Sequence, residues 1–179
     1  MLHRYFIRLA YLGTKYNGWQ MQANTPHTIQ QILNEKLSQL LSEKIYVVGC
    51  GRTDTGVHAK DYYAHFDSVK NDLHTDPRIW LFRMNHILPK DISIRQIIPV
   101  KSDTSARFNA YSRTYKYYVS RTPDPFCNDR AVYISAPLDI DLMNEGAKLL
   151  MSYIDFSSFK KANTNVKTND CIVTEAQWS

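Results

Sequence analysis

Ile45-Tyr46-Val47-Val48-Gly49-Cys50-Gly51-Arg52-Thr53-Asp54-Thr55-Gly56-Val57-His58-Ala59 runs an apolar strand into a glycine-bracketed turn that carries a single carboxylate. The β-branched residues at 45, 47 and 48 favour extended backbone, so Ile45 to Val48 is expected to be a strand. Gly51 and Gly56 at the two ends of the turn can take positive φ and allow a ligand close to the backbone. Asp54 then stands at a strand end, where a rigid scaffold presents functional groups, with Arg52 and His58 as positive or proton-carrying neighbours. The same turn also has a purely structural reading, in which Asp54 caps its own backbone as an Asx turn.

Working outward from this stretch, Thr28 and Gln31 fit a capping box, and Ile29, Ile32, Leu33, Leu37, Leu40 and Leu41 recur at helical spacing, which predicts an amphipathic helix from Thr28 to about Ser42. Arg4 to Leu12 alternates with period 2 and reads as a strand, and Tyr62 to Phe66 looks like the strand leaving the turn. Between them, Tyr16, Trp19 and Met21 stand in a polar loop, either covering a core edge or offering a binding surface. Strand, helix, strand, loop, strand implies an α+β fold with a helix across one face of a sheet.

Downstream, Asp76-Pro77 opens a helix through Trp80, Leu81 and Met84 that ends before Pro89, and Ile92 to Val100 follows as a strand. Ser112 to Thr122 reads as a tyrosine-rich strand closed by Pro123 and Pro125, with Tyr115 and Tyr117 on one face. Leu138 to Met151 has helical spacing, and Asp170 to Trp178 reads as a last strand. That final strand stops without a turn or capping helix, which suggests a chain that continues in a longer form.

The 179 residues form one ordinary domain or two small halves, and 44% hydrophobic content suffices for a real core. A net charge of +5 with 12 tyrosines suits a surface that neutralises phosphates and stacks bases, although tyrosine in strands also serves sheet packing. Cys50, Cys127 and Cys171 are odd in number and far apart, so neither a disulfide framework nor a zinc site is indicated, and reduced thiols in the cytosol are the simplest account. No stretch has the length of a membrane span or a signal peptide, so the expected place is the cytoplasm. No G-x-S-x-G elbow or H-E-x-x-H zinc pattern occurs, and Gly49-Cys50-Gly51 lacks the Lys-Ser/Thr ending of a phosphate-binding loop.

The stretch Gly51-Arg52-Thr53-Asp54-x-Gly56-Val57-His58-Ala59 resembles the signature loop of the TruA-type tRNA pseudouridine synthases. Tyr11-x-Gly13-Thr14-x-Tyr16-x-Gly18-Trp19-Gln20 resembles the opening strand and loop of that family, with Gln30 in a similar first helix. Ala106-Arg107-Phe108 through Arg113-Thr114-Tyr115-Lys116-Tyr117 and Asp155-Phe156-Ser157-Ser158-Phe159 resemble two further blocks, in the family's order. Thr55 stands where the family usually has alanine. The family's sequence also continues beyond Ser179 into a segment with an arginine that pairs with the catalytic carboxylate, and nothing here matches it.

The resemblance implies a pseudouridine synthase fold, a mixed and mainly antiparallel sheet flanked by helices, built from ferredoxin-like halves. Residues 1–105 would form the half that carries the catalytic loop, and 106–179 the start of the second. It implies isomerisation of uridine to pseudouridine in the tRNA anticodon stem-loop, at positions 38–40 of the tRNA, by a homodimer that needs no cofactor and no metal. Asp54 would be the catalytic carboxylate, Tyr115 the aromatic against the target base, and Arg52 an organiser of the loop. Arg107 and Arg113 flank Phe108 and Tyr115 and lead the candidates for phosphate contact, ahead of Lys15, Arg83, Lys116, Lys160 and Lys161. The alternative is a tRNA-binding module without chemistry, or a catalytically incomplete piece of such an enzyme.

Overall fold

A computed structural model describes residues 1–159 and 168–179, which fall into two compact units: 1–118 with 125–131, and 119–124 with 132–179. In the first unit, β1 (His3–Tyr11), α1 (Ile29–Leu41), β2 (Val48–Gly49), β3 (Ala59–Ser68), α2 (Pro77–Ile87) and β4 (Ile92–Val100) follow one another. The four strands make one sheet in the order β2-β3-β1-β4, every neighbouring pair antiparallel. This β-α-β-β-α-β succession with that strand order is the ferredoxin-like arrangement. The α+β expectation is met.

The alternation in β1 decides which face is covered. Tyr5, Ile7, Leu9 and Tyr11 are buried and join Ile29, Leu33 and Leu37 of α1, Met84 of α2, Phe66 of β3 and Ile94 of β4 in one core. The opposite face carries ion pairs across strands: Arg4 Nε lies 2.8 Å from Asp67 and Arg8 Nε 2.6 Å from Asp61. Each arginine holds its aspartate below the usual carboxylate range through that hydrogen bond.

Helix α1 begins as its sequence predicts, with the Thr28 hydroxyl accepting from the Gln31 N–H at 3.2 Å. Only half of the capping box forms, because the Gln31 amide donates to Glu35 at 2.5 Å instead of reaching back. Helix α2 is capped by Asp76, with Pro77 at its first position.

The predicted strand at 45–48 is shorter than expected, since only Val48 and Gly49 pair with β3. Polar side chains of α1 replace the missing strand neighbour. Gln30, Asn34 and Ser38 recur every four residues on one helix face. Gln30 Nε2 donates to the Val47 carbonyl at 2.7 Å, Asn34 Oδ1 accepts from the Val47 N–H at 2.8 Å, and Ser38 Oγ accepts from the Ile45 N–H at 2.8 Å. Backbone groups committed to a helix cannot also build a ladder.

The tyrosine-rich segment also departs from expectation. Residues 112–118 form no strand among the described residues, and Tyr115 and Tyr117 are exposed. Strand propensity alone makes no strand where no neighbour supplies a ladder. In the second unit, β5 (Val119–Ser120) pairs in parallel with β6 (Val132–Tyr133), and α3 (Ile140–Leu150) is capped by Asp139, which accepts from the Leu142 N–H at 2.9 Å. The expected strand at 170–178 is absent. Asp170 makes a single bridge to Asp155, and the Trp178 backbone is taken by the Asn144 amide, which accepts from its N–H at 2.8 Å and donates to its carbonyl at 3.1 Å. Among the described residues, no helix is long and apolar enough to cross a membrane.

Candidate active site

The Asp54 turn leaves β2 and enters β3 at the same end of the sheet as the close of β1. The Asp54 carbonyl accepts from the Val57 N–H at 3.2 Å, which closes a four-residue turn. Gly56 takes φ +81° as the sequence anticipates, whereas Gly51 keeps negative φ. The loop after β1 fixes the turn from outside at two points: the Trp19 N–H donates to the Thr53 carbonyl at 3.0 Å and the Gly56 N–H to the Tyr16 carbonyl at 3.2 Å. Gly13 is needed for close approach, because a Cβ there would lie 1.9 Å from the Val57 carbonyl oxygen. Asp54 itself is exposed at the tip.

Beneath the turn lies an aromatic floor. Trp19 and Tyr62 have ring centroids 4.4 Å apart, and Tyr11 packs edge-on to Tyr62 at 5.6 Å. All three are buried, so the hydroxyls of Tyr11 and Tyr62 must find partners. The Tyr11 hydroxyl is 2.9 Å from Thr53 Oγ1, and the Tyr62 hydroxyl donates to the Gly51 carbonyl. Burial pushes the Tyr11 hydroxyl up to about 12, with the Thr53 bond pulling the other way, and burial raises Tyr62 as well. Both remain protonated donors at neutral pH. Tyr16 Oη donates to Asp91 at 2.6 Å, anchoring the loop that supports Gly56.

His58 is half-buried and both its ring nitrogens are engaged. Nδ1 accepts from the Gly13 N–H at 2.9 Å, and Nε2 lies 2.5 Å from the Asp129 carbonyl. Arg113 reaches the same loop: its Nε donates to the Cys50 carbonyl at 3.2 Å, and its NH2 donates to the Arg107 carbonyl at 3.3 Å.

Of the residues singled out in the sequence, the structure joins Arg113 directly to the strand that delivers Asp54, and Arg107 to Arg113 through its backbone. Arg107 lies over the Phe108 ring at 5.4 Å and is exposed. Tyr115 is 61% exposed. Arg52, Lys15 and Lys116 are exposed, and Arg83 lies over Trp80 at 5.2 Å on α2. Lys160 and Lys161 lie outside the described residues.

Sequence reading did not find the pinning roles of Tyr11, Trp19 and Tyr62, because a strand pattern or a loop position does not show which polar atoms face the turn. Of the open alternatives for the large loop side chains, Tyr16 and Trp19 are core and Met21 is exposed. No group of three or more metal-ligating side chains occurs among the described residues.

Fold and site together define a carboxylate-centred α+β protein, with a ferredoxin-like sheet that presents one aspartate on a braced turn beside a basic, tyrosine-rich segment. The chain is 47% identical over 175 residues to the tRNA pseudouridine synthase A of Porphyromonas gingivalis, covering 98% of this chain and 69% of that protein. The same named protein of Parabacteroides distasonis is 45% identical, covering 99% and 69%, and that of Azobacteroides pseudotrichonymphae 46%, covering 99% and 70%. No family model matches the chain. Identity at this level over nearly all of these residues decides the matter: the chain belongs to the tRNA pseudouridine synthase A family.

Proposed function

We propose that this chain isomerises uridine to pseudouridine in tRNA, with Asp54 as the catalytic carboxylate. The observation that carries the reading is the bracing of the Asp54 turn at three points, by Trp19, Tyr16 and Tyr11, in a chain whose relatives are named tRNA pseudouridine synthase A. A turn restrained in this way holds a reacting group in one geometry, which is worth orders of magnitude in rate.

The reaction breaks the N1–C1′ bond of uridine, turns the base and forms a C5–C1′ bond, while the C5 proton leaves and N1 gains one. No electrons are transferred to an acceptor and no group is added, so the chemistry calls for no cofactor. An ionised carboxylate can trap or stabilise the separated sugar or base. In this reading Tyr115, an exposed aromatic, stacks on the extruded base, a contact worth about 1–3 kcal/mol per base, or moves the C5 proton. Arg52 and Arg107 are exposed cations for phosphate, and Arg113 supports the loop while lying in the same basic segment.

The substrate site within tRNA is the anticodon stem-loop, and the working form is a cytoplasmic homodimer. Tritium release from tRNA carrying [5-³H]uridine, with no cofactor added, tests the reading. Release by this chain that vanishes in Asp54→Asn supports it. Release that persists in Asp54→Asn removes Asp54 from the chemistry, and tRNA binding without release leaves a binding module.

A further inference from the structure

The segment 125–131 belongs to the first unit although both flanking segments belong to the second, so something must fasten it there. Within itself it is a tight turn, the Arg130 and Ala131 N–H groups both donating to the Cys127 carbonyl at 2.9 Å. Two of its links to the rest of the first unit run through Asp129. His58 Nε2 lies 2.5 Å from the Asp129 carbonyl, and the Thr14 hydroxyl donates to Asp129 Oδ2 at 3.5 Å.

The partners of His58 fix its tautomer. A backbone N–H can only donate, so Nδ1, which faces the Gly13 N–H at 2.9 Å, carries a lone pair. A backbone carbonyl can only accept, so Nε2 carries the proton. One neutral imidazole therefore ties three segments together: the turn after β1, the Asp54 turn, and the 125–131 strap. Both nitrogens are occupied by backbone, so while the clamp is closed the ring has none left to exchange a proton with a substrate.

We infer that His58 is a positioning residue, a tautomer-specific clamp that sets the Asp54 turn against Gly13 and holds the 125–131 strap beside it. The inference rests on the reading of Asp54 as the catalytic carboxylate only for its effect on rate; the clamp itself is a matter of hydrogen bonds. Its removal leaves Asp54 present but loosely held. Misplacement on the ångström scale is costly, so the single-turnover rate falls about 10- to 100-fold while tRNA affinity stays unchanged.

The test combines ¹⁵N spectroscopy of the His58 ring, amide exchange at Gly13 and single-turnover tritium release, on the wild-type chain and on His58→Ala and His58→Asn. The expected result is a protonated Nε2 and bare Nδ1 in the wild type, faster Gly13 exchange and slower release in His58→Ala, and recovered Gly13 protection in His58→Asn, whose Oδ1 can take the acceptor place of Nδ1. A proton on Nδ1, or Gly13 exchange unchanged by His58→Ala, overturns the inference. So does a loss of tRNA affinity with the rate intact, which makes His58 a substrate contact. Should His58→Ala fail to fold, the wild-type tautomer and His58→Asn decide. Failure of the catalytic reading shows separately, as release that survives Asp54→Asn or is absent from the wild type, and the tautomer and exchange results stand in either case.

Discussion

The Tyr11 hydroxyl at the end of β1 lies 2.9 Å from the Thr53 hydroxyl, which binds the central strand of the sheet to the residue immediately before Asp54. Tyr11 is 3% exposed, so losing this partner leaves a polar atom without water to replace it. Tyr11→Phe is therefore expected to cost about 1–2 kcal/mol in urea unfolding, and Thr53→Val a similar amount. The double variant should cost less than the sum, because removing both partners leaves neither unsatisfied. Full additivity would mean that the two hydroxyls do not interact.

Gly13 tests how tightly the turn is seated. A methyl group there would meet the Val57 carbonyl oxygen at 1.9 Å and its carbon at 2.6 Å, and neither is a flexible side-chain end. Gly13→Ala should destabilise the chain by about 1–3 kcal/mol and displace the Asp54 turn. Gly146 in α3 is the control, since nothing lies within 4 Å of its added Cβ; Gly146→Ala should stabilise by about 0.5–1 kcal/mol through helix propensity. Equal effects in thermal melts would discredit the close approach.

The α+β succession was legible because periodicity survives averaging over many contacts: β1, α1, α2 and β4 appear close to their expected bounds. The failures share one cause. Ile45–Val47, Ser112–Tyr118 and Asp170–Trp178 all have the composition of strands, but a strand exists only where a neighbour supplies a ladder. In the first case the side chains of Gln30 and Asn34 and the hydroxyl of Ser38 take the backbone groups, and in the last the Asn144 amide does. Such nonlocal claims on the backbone leave no local signature. The candidate site stands out in the sequence as a motif, since Gly51, Asp54 and Gly56 fall in one short stretch. Its braces come from residues 11, 16, 19, 62 and 129 and depend on the register of β1 and β3.

Gln30 is the hub of the first of these claims. Its side-chain oxygen accepts from the Gln20 amide at 2.8 Å and the Met21 N–H at 2.9 Å, while its nitrogen donates to Val47. Gln30→Leu keeps the volume and removes all three bonds in a 2% exposed site, so a loss of about 2–3 kcal/mol is expected. A near-neutral result in chemical denaturation would show that water enters and takes over these partners.

His65 gives the sheet a pH dependence of defined sign. Its Nδ1 accepts from the Ala106 N–H at 3.1 Å, and burial, reinforced by Arg4, lowers its pKa below the ordinary 6.5. The folded chain thus favours the neutral ring, and the unfolded chain takes up the proton first as pH falls. Stability is fully present above about pH 6.5 and is lost progressively below it, until the folded-state ring also protonates. Denaturation midpoints between about pH 7.5 and about pH 5.5 should fall in the wild type and stay flatter in His65→Asn, which keeps an acceptor but does not titrate. Asp67, lowered by Arg4, adds its own loss only in the more acidic range near 3.8. A wild-type midpoint that rises on acidification would contradict the sign.

Arg107 and Arg113 look interchangeable in the sequence, but the structure separates them. Arg113 spends its guanidinium on the carbonyls of Cys50 and Arg107, so its removal should loosen the strand that leads to Asp54. Arg107 is exposed over Phe108 and keeps its charge toward solvent. If Arg107 meets a tRNA phosphate, Arg107→Ala weakens binding at low salt and reduces the slope of log affinity against log salt by about 0.7 to 0.9. Arg113→Ala should instead slow tritium release by more than it weakens binding, and Arg113→Lys should not rescue it, because a single ammonium lacks the planar fork that now bridges two carbonyls. Titrations at several salt concentrations, paired with single-turnover rates, resolve the two. Equal changes in salt slope with unaltered rates would make both arginines simple phosphate contacts and remove Arg113 from the support of the Asp54 turn.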